Sequence, residues 1–181
     1  MQFQVGEKVI YPNHGIGVVE SIQTRPTATG KMSLYQLRIL SNDSRVLVPE
    51  ENAGGVGLRP VIKAAEVRRI LDLLGDGQID LHANWKGRFK ENSEKMRSGC
   101  LIDVAVVLKG LTFVARKKAL SFREKKMLDR AKYLLITEIA EVEGKTEASV
   151  TDRVDKALAD SMTLGSKPTQ RPVVPRRLSD A

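Results

Sequence analysis

Disulfide chemistry, metal ligation and membrane insertion are all poorly supplied in this chain. Cys100 is the single cysteine, so no intramolecular disulfide can form. The two histidines, His14 and His82, stand far apart with no cysteine beside either, and no metal site is expected. The longest apolar run, Val104 to Leu108, is far too short to cross a bilayer. The opening residues Met1 to Gly6 lack the apolar stretch of a signal peptide, so a cytosolic, soluble protein is expected. Aromatic residues make up only 4% of the 181, which predicts aliphatic cores. A hydrophobic share of 41% is nevertheless enough to build them, and excludes a wholly disordered chain. Paired carboxylates, a metal cluster and an activated nucleophile cannot be assembled from the pattern. Neither an enzyme nor a cofactor is expected.

Positive charge is the resource the chain does have. Its formal net charge is +8, and the distribution is uneven. Residues 1–60 carry a net +1 and residues 61–80 a net −1. Residues 81–133 then carry +9, residues 134–164 carry −4, and residues 165–181 carry +3. Apart from the tail, the basic character belongs to one segment, the footprint expected of a face for a polyanion such as nucleic acid.

The first third reads as β-structure. Phe3, Val5 and Val9 alternate through residues 3–10, Pro12 to Gly15 makes a turn, and Ile16, Val18 and Ile22 give a second period-2 run. Thr24 to Lys31 reads as a polar loop, Leu34 to Leu40 as a third strand, and Arg45 to Val48 as a fourth. So many short strands predict a strongly bent sheet or small barrel. Gly15-Ile16-Gly17 lacks the following helix that a phosphate loop needs, so its glycines are read as permitting a bend.

Glycines from Gly54 to Gly57 break the pattern, and helical spacing follows. Helices are predicted over Ala64–Leu74, Asn84–Ser98, Leu101–Phe113, from Ser121 to about Glu143, and from Thr146 to about Met162. Ser121-Phe122-Arg123-Glu124 is a capping box that opens the fourth. Met127, Leu128, Ala131, Leu134, Leu135 and Ile139 form that helix's inner stripe. Its first half is basic (Arg123, Lys125, Lys126, Arg130, Lys132) and its second half acidic (Glu138, Glu141, Glu143). The cations suit an anionic partner or an ordinary solvated face equally well. Cys100 lacks a base and an orienting group, and reads as a packed or incidental thiol. The domains so predicted are 1–60 and 61–164, followed by a disordered basic tail, 165–181, punctuated by Pro168, Pro172 and Pro175.

The sharpest motif is Asn84-Trp85-Lys86-Gly87-Arg88-Phe89-Lys90, which opens the +9 segment and holds the single tryptophan. Phe89 falls one turn after Trp85, and Lys86 and Lys90 make a second stripe. Asn84 is a natural N-cap, whereas Gly87 costs about 0.5–1 kcal/mol against Ala in a helix interior. Two readings stand side by side. Trp85 is a core aromatic with lysines nearby, or an aromatic platform whose flanking cations hold phosphates.

Five stretches in order carry a resemblance. They are Val5 to Gly15, Val48-Pro49-Glu50-Glu51-Asn52, Val56-Gly57-Leu58-Arg59, the Trp85 motif, and Leu120 to Leu128. Together they resemble the CarD/CdnL family of bacterial transcription regulators over residues 1–160. That resemblance implies an α+β protein, a Tudor-like bent β-sheet or barrel followed by a compact all-helical C-terminal domain. It implies a monomer whose N-terminal domain docks on the RNA polymerase β subunit, partly by strand pairing. The helical domain would contact promoter DNA at the upstream edge of the transcription bubble. Trp85 would be a minor-groove wedge, with Lys86, Arg88, Lys90, Lys125 and Lys126 holding the backbone. On the polymerase side the implied set is Arg25, Arg45, Val46, Leu47 and Pro49. Leu47 departs from the arginine common there in relatives, and Arg45, two residues earlier on the same strand face, is its substitute. Gly87 likewise replaces a common arginine. The rival readings are a free-standing nucleic-acid binder and a protein–protein adaptor.

Overall fold

The structure, a computed structural model, describes residues 2–28, 30–78 and 85–164, with the Trp85 side chain excluded. The expected tail, the Asn84 cap and His82 lie outside the described residues. Five strands come first: β1 (Lys8–Tyr11), β2 (Gly15–Thr27), β3 (Gly30–Ile39), β4 (Arg45–Pro49) and β5 (Arg59–Pro60). Five helices follow: α1 (Ala64–Gly75), α2 (Trp85–Arg97), α3 (Leu101–Lys117), α4 (Phe122–Glu143) and α5 (Glu147–Leu164). The architecture is α+β, with the sheet N-terminal and the helices after it.

The sheet is antiparallel throughout, in the order β4-β3-β2-β1-β5. One face buries Val9, Val19, Tyr35, Leu37 and Val48 against Phe3, Ala53 and Leu58. Tyr35 is 1% exposed, and its hydroxyl accepts the Phe3 amide at 3.2 Å while the two rings meet edge to face. Two sequence expectations need correcting. The strand expected over residues 3–10 shrinks to Lys8–Tyr11, because Gly6 takes φ +87° and a turn closes between Gln4 and Glu7. Val5 is consequently 61% exposed. The polar loop expected over Thr24–Lys31 is instead a hairpin extension, with Thr24 opposite Ser33 and Thr27 opposite Gly30. Residues 24–28 and 30–31 are exposed, so no apolar alternation marked them as strand. β5, two residues long and including a proline, carried no periodic signal.

In the helical half, Val67, Ile70 and Leu74 of α1 pack with Val104, Leu108 and Leu111 of α3 and Leu135 and Ile139 of α4. Leu134 and Ala131 join them, while Met127 and Leu128 are only half-buried. The expected capping box at Ser121 is present, and Gly144 at φ +62° closes α4, which runs about 33 Å. Lys109 is 4% exposed because its ammonium closes the end of α1, donating to the Leu73 carbonyl at 2.6 Å and to Asp76. Cys100 is exposed, not packed.

Sheet and helices meet along α4. Arg59 of β5 forms a two-pronged ion pair with Glu138, at 2.6 and 2.9 Å. Lys8 of β1 reaches Glu141 at 2.5 Å, and Arg130 donates to the Asn13 carbonyl at 2.9 and 2.5 Å. In the acidic half of α4, Glu138 is thus buried against the sheet, while Glu141 pairs with Lys8 at the surface.

Candidate functional site

Helical geometry sorts the motif around Trp85. Arg88, Asn92 and Met96, each four residues apart, are the buried row of α2, at 6%, 8% and 5% exposure. Lys86 and Lys90 lie outside that row and are exposed, and Phe89 is half-buried. Arg88, which the resemblance implies holds the phosphate backbone, is turned inward in this structure. Its Nη2 lies 2.8 Å from Glu124 Oε1. A sequence spacing that puts several cations within a few residues does not reveal which of them faces inward.

Glu124, at 4% exposure, is the hinge of the arrangement. Its second oxygen accepts the Ser121 amide at 3.1 Å and the Ser121 hydroxyl at 3.0 Å, completing the capping box of α4. One carboxylate thus caps α4 with one oxygen and holds α2 with the other. Burial pushes the Glu124 carboxyl up, but the bonds from Arg88 and Ser121 outweigh it and leave the group below the usual glutamate range. The Arg88–Glu124 bond bridges the first turns of α2 and α4 through their side chains.

That neighbourhood is rich in exposed cations. Lys125, Lys126 and Arg123 are exposed on the first turn of α4, as are Arg116, Lys117 and Lys118 at the end of α3. Phe122, the first residue of α4, is 70% exposed, with the Lys126 ammonium 4.7 Å from its ring. Sequence reasoning did not single out Phe122 as a surface residue. The signal was there: the inner stripe from Glu124 through Ala131 to Leu135 leaves position 122 outside. The remaining cations of the basic half of α4 are engaged internally, Lys132 with Asp155 at 2.6 Å and Arg130 with Asn13. Glu143 pairs with Arg153 and Lys145; the Arg153 bond chiefly holds its carboxyl below the usual range.

The second surface is the outer edge of the sheet. β4 ends the strand order, so among the described residues its free side meets no further strand. Arg45 and Leu47 share one face, opposite Arg38 and Gln36, and Leu47 is 45% exposed. Val46 lies opposite Leu37 and packs on the sheet core, and Pro49 is half-buried. Glu20 gathers the polar face around itself. It accepts Arg38 Nε and Arg45 Nε, each at 2.9 Å, and Gln36 Nε2 at 3.0 Å. Gln23 and then Arg25 continue the chain at 2.7 and 3.3 Å, so Arg25 and Arg45 belong to one connected network. The bond from Arg45, with that from Gln36, holds the Glu20 carboxyl below its usual value.

Among the described residues no three His, Cys, Asp or Glu side chains gather as metal ligands, and no described helix is long and apolar enough to cross a membrane.

Comparison with known proteins agrees with this layout. Residues 3–62 match the family model of the CarD-like/TRCF RID domain, and residues 69–155 match that of the CarD C-terminal domain. A Bacillus subtilis (strain 168) protein, YdeB, described as a transcription factor, is 32% identical over 148 residues, covering 82% of this chain and 97% of its own length. With one model on the sheet, another on the helices and a relative matched almost end to end, the chain belongs to the CarD/CdnL family of RNA polymerase-interacting transcription regulators.

Proposed function

We propose that this protein stabilises the open promoter complex by holding RNA polymerase with its sheet and promoter DNA with its helices. On the DNA side the exposed Lys86, Lys90, Lys125 and Lys126 hold phosphates around Trp85, which enters the minor groove as a wedge at the upstream edge of the bubble. On the polymerase side the β subunit adds a strand to the β4 edge. Val46 and Pro49 contribute through the backbone, and Arg25, Arg45 and Leu47 through side chains. The protein acts as a monomer in the cytoplasm, without a cofactor. Arg88 leaves the set of DNA contacts and becomes the internal support of α2.

The observation that carries this reading is the buried Arg88–Glu124 bond. It bridges the first turn of α2 to a turn of α4 bearing three exposed cations, 36 residues further along the chain, which supports reading the two turns together. The thermodynamics follow from preference between states. A ligand shifts an equilibrium only by binding one state better, and a ring filling an unstacked base step binds melted DNA better than closed duplex. A preference of about 1.4 kcal/mol changes the ratio of open to closed complex tenfold. Adding the protein to polymerase on a promoter therefore lengthens open-complex lifetime, and the isolated β subunit captures the protein without DNA. Lifetime unchanged at saturating protein contradicts the proposal; failure of the β subunit to capture it favours a free-standing nucleic-acid binder.

A further inference from the structure

Arg59 belongs to the sheet by backbone and to the helices by side chain. Its Nε donates to the Gly99 carbonyl at 2.5 Å, and its two terminal nitrogens donate to the two oxygens of Glu138 at 2.6 and 2.9 Å. Nη1 also donates to the neighbouring Pro60 carbonyl at 3.0 Å. Glu138, 2% exposed, accepts the Ile62 amide as well, at 3.1 Å. Gly99 lies in the turn between α2 and α3, so one guanidinium ties β5 at once to α4 and to the end of α2. Those two helices carry the cations assigned to DNA.

Packing beside this fork is equally close. Pro12, in the β1–β2 turn, sits against Gly57 and Gly99, both at positive φ (+77° and +76°). A Cβ at either position would come within 2.9 or 3.0 Å of the proline ring. The turns approach backbone to backbone at the point where the ion pair crosses. A loosely tethered pair of modules has no use for such a crossing, since a two-pronged bond onto a buried carboxylate constrains angle as well as distance.

We propose that Arg59 and Glu138 are positioning residues that fix the angle between the β4 edge and the α2–α4 surface. Polymerase docking then delivers the cationic face to DNA in one orientation. The inference rests on the two-surface reading above and adds what that reading leaves open, namely how the two contacts are made to act together. A flexible junction leaves each separate affinity intact and loses the gain that comes from presenting the second site already aligned.

The test uses the full chain with Arg59→Leu and Glu138→Leu combined, which removes both charges and leaves neither one buried alone. Spin labels at positions 31 and 118, on a Cys100→Ser background, report the distance between sheet and helices. Affinities for the β subunit and for promoter DNA are measured separately, and open-complex lifetime is measured last. The expected result is a broadened distance distribution, separate affinities within about twofold of the parent, and a lifetime lowered on the order of tenfold. A distribution as narrow as the parent's, or a broadened one with unchanged lifetime, overturns the proposal. If the parent protein itself fails to lengthen lifetime, it is the open-complex reading that falls. Should the double variant not fold, Arg59→Lys takes its place; it keeps the charge but loses the fork, and the same readouts apply with the same outcomes decisive.

Discussion

Replacing Arg88 with methionine separates a structural arginine from a DNA-binding one. Arg88 and Glu124 are 6% and 4% exposed, and their bond is 2.8 Å. Removing one partner of such a pair strands the other charge in a poorly solvated site, at a cost of about 3–5 kcal/mol. For a chain of this size that lowers the melting temperature by roughly 6–20 °C. Acid pH supplies a second signature. The folded-state pKa of Glu124 lies below the ordinary value, so its stabilising contribution is complete above the unfolded pKa and is lost as pH falls through the folded one. In the variant, burial acts without Arg88 to oppose it, and Glu124 takes up a proton at higher pH than in the parent. The stability gap between parent and Arg88→Met is therefore widest at neutral pH and narrows as the solution is acidified. Urea titrations at several pH values measure this directly. A third signature is electrostatic: the salt dependence of DNA binding by the folded variant keeps the parent's slope, because no phosphate contact has been lost. A loss below about 1 kcal/mol together with a shallower salt slope would instead place Arg88 on the DNA surface.

Further expectations follow from the same geometry. Lys86→Ala, Lys90→Ala, Lys125→Ala and Lys126→Ala each make the plot of log affinity against log salt shallower by about 0.9, with little change between DNA sequences; an unchanged slope removes that lysine from the surface. Leu47→Glu abolishes capture by the polymerase β subunit while leaving the melting temperature within a few degrees, since Leu47 is 45% exposed. Capture at parental strength would show that the β4 edge is not the docking side. Gly99→Ala destabilises more than Gly144→Ala although both glycines have positive φ. A Cβ at Gly99 meets Pro12 at 3.0 Å, whereas at Gly144 it meets nothing within 4 Å. Equal losses in thermal melts would mean that backbone strain alone, and not the close approach to Pro12, governs both sites.

The elements that sequence made legible are those whose local pattern and tertiary role coincide. α4 was readable because its cap, Ser121 with Glu124, and its apolar stripe each follow a local rule. α1 and α3 announced themselves by spacing in the same way. The β2–β3 hairpin was half hidden, since its outer part projects with both faces exposed and lacks alternation. Charge was the least transparent feature. The +9 of residues 81–133 indicated a basic face, but spacing could not separate Lys86 and Lys90, which point outward, from Arg88, which points at Glu124. The acidic half of α4 was equally opaque, because the partners of Glu138 and Glu141 are Arg59 and Lys8, 79 and 133 residues away. Long-range ion pairs leave no trace in a window of a few residues. Phe122 shows the converse: a large apolar residue that the capping position holds at the surface.

The most direct test of the central claim is the lifetime of the open promoter complex with Trp85→Ala in place of the parent protein. Capture by the β subunit and the melting temperature serve as controls. The expected result is that lifetime falls toward its value without the protein while capture by the polymerase β subunit is retained. A folded Trp85→Ala protein that binds polymerase and sustains the parental lifetime would contradict it.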